Sequence, residues 1–103
     1  MSSKPASAVI QDLQAHNLFE LVERVRARRG VCLTELCGRT RSQNVVAARH
    51  EVWWLIRNHP ERRYSLQEIA HLFGNNHATV WSGLQAHQRR QLAIAPSTRE
   101  SKG

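Results

Sequence analysis

The chain has 103 residues and a formal net charge of +7, with fifteen Lys and Arg against eight Asp and Glu, a size that suits one domain and leaves no room for a second. No apolar run approaches the roughly 18 residues of a membrane span, and a basic excess carried mainly by arginine favours a polyanionic partner. Cys32 and Cys37 are the only cysteines, and with no signal peptide ahead of them they read as reduced thiols of a cytoplasmic protein, without a disulfide.

In chain order, residues 1–7 are too polar to pack and are expected to form a flexible N-terminal tail. From Ala8 to Arg29 neither Gly nor Pro interrupts a helix-forming stretch in which Leu18, Leu21, Val22 and Val25 share a face; one helix is predicted, ended by Gly30. Val9, Ile10 and Leu13 near its start either pack on the domain or join two copies as a homodimer through this N-terminal helix. Residues 31–37 form a short helical turn with Val31, Leu33 and Leu36 inward, closed by Gly38. A basic loop, Arg39-Thr40-Arg41-Ser42-Gln43, leads into a helix whose stripe is Val45, Ala48, Val52, Leu55 and Ile56, with Pro60 at its exit. Ser65 and Glu68 have the spacing of a capping box, and Leu66, Ile69, Ala70 and Phe73 follow helical periodicity up to Gly74. After the turn Gly74-Asn75-Asn76, a last helix runs from about His77 to Arg90, with Val80 and Leu84 on its buried side and Trp81 flanking them. Residues 92–103 are expected to be a second flexible tail. The whole is all-α, a compact helical domain of five helices over residues 8–91.

Two short helices joined by a tight glycine turn, at residues 65–90, have the geometry of a helix-turn-helix, whose first helix braces the backbone while the second enters the major groove. Ala70 provides the small side chain where the helices approach, Gly74 the turn and Val80 the locking apolar residue. At the start of the second helix, Asn76 is suited to bidentate pairing with adenine, Thr79 to a hydrogen bond or a thymine methyl, and His77 and Ala78 to adjoining contacts. Ser82 and Gln85 lie further along the same side. Arg57, Arg62 and Arg63, and Arg89 and Arg90 at the helix end, are candidates for phosphates or for the helix dipole. Trp53 and Trp54 stand about 100° apart on a helix, so one is expected in the core and the other partly exposed. The two cysteines lack a following His pair at zinc-finger spacing, and His71 and His87, expected at the surface or its boundary, have no oriented nucleophile. No metal, no cofactor and no catalytic residue is expected.

Residues 18–91 resemble the C-terminal DNA-binding domain of the bacterial replication initiator DnaA, a fold akin to the Trp repressor. Phe73-Gly74-Asn75-Asn76-His77-Ala78-Thr79-Val80 is similar to the family's Gly-Arg-Asp-His-Thr-Thr-Val signature. Ser65-Leu66-Gln67-Glu68-Ile69 is similar to its Ser-Leu-Pro-Glu-Ile, and Arg41-Ser42 to its Arg-Ser loop. The resemblance implies base contacts from Asn76, His77, Ala78 and Thr79, with Asn75 beside them. It also implies a minor-groove contact from the basic loop, Arg39 to Arg49. Asn75, Asn76 and Ala78 replace the signature Arg, Asp and first Thr, and the family's minor-groove arginine falls on Ala47, which leaves Arg39, Arg41 or Arg49 to serve. No Gly-x-x-x-x-Gly-Lys-Ser/Thr phosphate loop is present.

The function expected is sequence-specific binding of double-stranded DNA in control of replication initiation or transcription, near the nucleoid. Asn75, Asn76, His77, Ala78, Thr79, Ser82 and Ser65 would lie on the DNA face, with Arg39, Arg41 and Arg49 on its basic flank. The replication initiator or another replication protein is a further partner to expect. The competing reading is a helical protein-interaction module that docks an acidic partner such as a replication factor.

Overall fold

Three helices of this chain end where a residue turns left-handed, at Asn17, Gly30 and Gly74, and ties off the last carbonyls. The computed structural model describes residues 4–38 and 40–94; of the tails expected at residues 1–7 and 92–103, residues 1–3 and 95–103 lie outside the described residues, as does Arg39. Six helices are found in the described residues: α1 (Ala6–Ala15), α2 (Phe19–Arg29), α3 (Leu33–Cys37), α4 (Gln43–Arg57), α5 (Leu66–Phe73) and α6 (His77–Ile94).

The single helix predicted from Ala8 to Arg29 is therefore two, and the count rises from five to six. Asn17 adopts φ 60°, Leu18 N–H donates to Leu13 O at 2.8 Å and Asn17 N–H to Gln14 O at 3.1 Å. This is a Schellman closure, with an asparagine in the left-handed position that glycine usually holds. Leu13 and Leu18, the two ends of the closure, are both buried, which is the apolar contact that accompanies this motif. The same pair of bonds closes α2 at Gly30 and α5 at Gly74. Helix α1 starts at Ala6, inside the segment read as a tail, and α6 runs to Ile94, past the Arg90 expected as its end.

Val9 and Leu13 of α1 are fully buried, so this helix spends its apolar face on its own domain, against α3 and α5. Of the three apolar residues weighed for a homodimer through this helix, Val9 and Leu13 are thus turned inward and Ile10 is half-buried. Lys4, just ahead of α1, bonds Asp12 and donates to His71 O at the end of α5.

Helix α4 is the hub, packed against α2, α3, α5 and α6. Of its predicted stripe, Val45, Ala48, Val52 and Ile56 are buried and Leu55 is half-buried at the edge. On the α2 side, Glu51 is almost fully buried between Arg28 and Arg29, the Arg29 Nε to Oε1 distance being 2.7 Å. Of the tryptophan pair, Trp53 is in the core and Trp54 half-buried, its ring lying 5.4 Å from that of His87.

Helix α6 crosses α4 at Trp53, whose ring also meets Phe73 edge-on at 6.0 Å. A Cβ at Gly83 would fall 2.6 Å from two ring carbons of Trp53 and 2.7 Å from His50 Cδ2. Glycine is required here for close approach, not for a turn. Gly83→Ala is expected to lower stability by about 2–3 kcal/mol through overpacking, read as a fall in the urea midpoint with an unchanged slope; a neutral effect would show that the two helices are not in contact at this point.

Candidate nucleic-acid interface

The capping box predicted at residue 65 is formed. Glu68 N–H donates to Ser65 Oγ at 3.1 Å, and Ser65 N–H to Glu68 Oε1 at 2.8 Å, which satisfies two donors that the helix start would otherwise leave unpaired. The Ser65 amide and the neighbouring Arg62, 2.6 Å from Glu68 Oε2, hold the Glu68 carboxyl below its ordinary range. Nine residues after Ser65, Gly74, at φ 70°, turns the chain. Ala70 and Val80 are buried where α5 and α6 meet.

Asn76 then caps α6: its Oδ1 accepts from Thr79 N–H at 2.8 Å. Asparagine is among the best residues for this position because its short side chain reaches back to an orphan amide. The residue expected to pair bidentately with adenine thus commits its oxygen to the helix start and presents its amide nitrogen outward. His77, Ala78, Thr79 and Ser82 are exposed, Gln85 and Asn75 are half-buried, and Ser65 is exposed at the start of α5. Trp81, read as flanking the buried pair, is 52% exposed on α6.

The basic loop reaches the same side of the molecule. Arg41 is exposed and, with Asn75, Thr79 and His50, lines a groove of about 520 Å³ between the loop, α4 and the start of α6. Arg49 is placed differently from the expectation: it is buried. Its Nε donates to Leu36 O at 2.9 Å, and its Nη2 to Glu35 O at 2.8 Å and Thr40 O at 3.1 Å. Rather than lying on an open surface, this guanidinium fastens the end of α3 and the root of the loop to α4. A second groove, about 560 Å³, continues along α4 past Ala47 to Arg90.

Sequence reasoning missed two residues here. His87 is buried, not a surface residue, and His50 joins α4 to α6 by accepting from Arg90 Nη1 at 3.3 Å. Burial, with Arg90, Arg49 and His87 nearby, pushes the His50 imidazole down to about 4; burial likewise lowers His87, against an opposing pull from Glu51. Of the other arginines, Arg57 donates to Tyr64 O at 2.9 Å and Arg62 lies over the Tyr64 ring at 4.4 Å, while Arg63 and Arg89 are exposed.

Burial raises the Cys37 thiol to about 11, and Cys32 is exposed beside Thr34 Oγ1. Among the described residues no three His, Cys, Asp or Glu side chains converge as a metal site. Nor does any helix there have the length and apolar character to cross a membrane.

The unfolded chain takes up a proton on each histidine near 6.5, whereas folded His50 does so only near 4. Its contribution to stability is therefore complete above pH 6.5 and drains away as pH falls toward 4. Urea unfolding at pH 7.5 and pH 5 is expected to differ by on the order of 1–2 kcal/mol from this group, ahead of the acidic range where Asp12, Glu23 and Glu68 titrate. His50→Asn is expected to reduce that difference; an undiminished one would assign it to other groups.

The family described as the bacterial DnaA protein helix-turn-helix matches residues 20–86, which covers α2 through most of α6 and leaves α1 outside. No curated protein and no solved structure matches the chain.

Proposed function

The chain belongs to the bacterial DnaA helix-turn-helix family, an all-helical DNA-binding class and not an enzyme class, and from that premise we propose that it recognises particular double-stranded DNA sequences in control of replication initiation or transcription. One observation carries the proposal: Thr79, in the exposed first turn of α6, and the exposed Arg41 line the same groove. A helix laid in the major groove would then have a cation beside it at the backbone.

In this reading His77, Ala78 and Thr79 face base edges. Thr79 offers a hydroxyl and a methyl, and the small Ala78 lets the helix approach closely. The Asn76 cap sets the pitch of that first turn, and its Nδ2 amide is left to donate. Asn75 and Ser82 flank the contact, and Ser65 presents the start of α5 to a phosphate. Arg41 supplies charge without sequence information, and Arg49 keeps its loop in place. Arg39 belongs to the same basic segment.

The two kinds of contact separate experimentally. With roughly five phosphates neutralised, the logarithm of affinity should fall against the logarithm of salt with a slope near −4 to −5. Thr79→Ala should flatten preference among sequences selected from a random duplex pool, while Arg41→Ala should weaken binding to all of them about equally and lower the slope by about one. A flat salt response, or the opposite pattern in the two variants, would contradict the assignment; salt-dependent capture of an acidic protein with no DNA preference would replace it.

A further inference from the structure

Arg41 on the loop and Arg90 near the end of α6 both line the groove beside Ala47, which shares Arg41 and Val46 with the groove at the start of α6. Neither arginine forms an ion pair with a carboxylate among the described residues. The small side chain of Ala47 is part of the same lining.

Arg90 is not free to swing. Its Nη1 lies 3.3 Å from His50 Nδ1, and since a guanidinium only donates, that ring nitrogen accepts, which requires a neutral imidazole protonated on Nε2. Burial, and then the positive charges of Arg90 on α6 and Arg49 on α4, favour the neutral form of this ring. A neutral histidine that holds one arginine on a groove lined by a second, with neither paired to a carboxylate among the described residues, leaves two unneutralised cations on one solvent-open groove. Such an arrangement suits a single anion.

We infer that this groove seats one phosphate of the DNA backbone between Arg41 and Arg90, with His50 as the positioning residue that holds Arg90 in place. The inference rests on the DNA-binding reading above and extends the contact surface two turns along α4, away from the base-facing end of α6. Arg90 lies beyond the family match, which ends at residue 86.

The test measures binding of the full chain to a random-sequence duplex of roughly two helical turns, by fluorescence anisotropy over a range of salt concentrations. Arg90→Gln is expected to lower the salt slope by about one and the affinity by roughly tenfold. His50→Ala should lose a comparable part of the affinity, and His50→Asn, which restores an acceptor near the Nδ1 position, should recover most of it. The double variant His50→Ala/Arg90→Gln should bind no more weakly than Arg90→Gln alone, because the two residues act as a unit. An unchanged slope in Arg90→Gln, with the unaltered chain binding normally, would overturn the seat, as would additive losses in the double variant or no recovery in His50→Asn. Failure of the unaltered chain to bind the duplex at all would instead remove the DNA reading, and the seat with it. Thermal melts within a few degrees of one another would show that the variants compared are folded.

Discussion

The position of α6 is set by a single close contact, the face of Trp53 against the bare backbone of Gly83. A methyl group there would have nowhere to go, since the ring is held from its other side by Phe73 and bordered by His50. Because interiors are packed as densely as organic crystals, a misfit at this point would shift the helix rather than be absorbed. The displacement would be felt at both ends of α6: at Thr79, which faces Arg41, and at Arg90, which faces His50. One tryptophan on the central helix therefore registers the base-facing turn and the basic grooves against each other.

Around that contact the chain uses side chains as fasteners. Arg49 holds three carbonyls at the root of the loop, Glu51 ties α2 to α4, and Lys4 anchors α1 over the end of α5. Each is a charged group taken partly from solvent and supplied with partners, which is what makes its burial tolerable. His77, Ala78, Thr79 and Arg41 are exposed, and in the DNA-binding reading they are groups offered to another molecule.

How far the sequence revealed this depends on the residue. The capping box at Ser65, the stop at Gly74 and the stripe of α4 follow from local rules, and all are present in the fold. The break at Asn17 does not, because an asparagine in the left-handed region looks from sequence like any polar residue in a helix. Arg49 and His87 carried a signal that chemistry obscured. Arg49 falls on the period of Val45, Ala48 and Val52, and His87 on that of Val80, Gly83 and Leu84, so each sits at a core position despite its polarity. Asn76 could have been read as a cap from its place before the helix. The pairing of His50 with Arg90 spans forty residues, and no local pattern encodes it.

The central claim is that one face, made by the turn of α5 into α6 and by the loop ahead of α4, meets DNA. Titrating isotope-labelled protein with a duplex and following the backbone amide signals tests it most directly. The account predicts a contiguous set of shifts over residues 65–67, 75–82 and 40–44, with α1 and the solvent face of α2 at Glu20, Arg24 and Ala27 undisturbed. Shifts concentrated on α1 and α2, with the first turn of α6 silent, would contradict it.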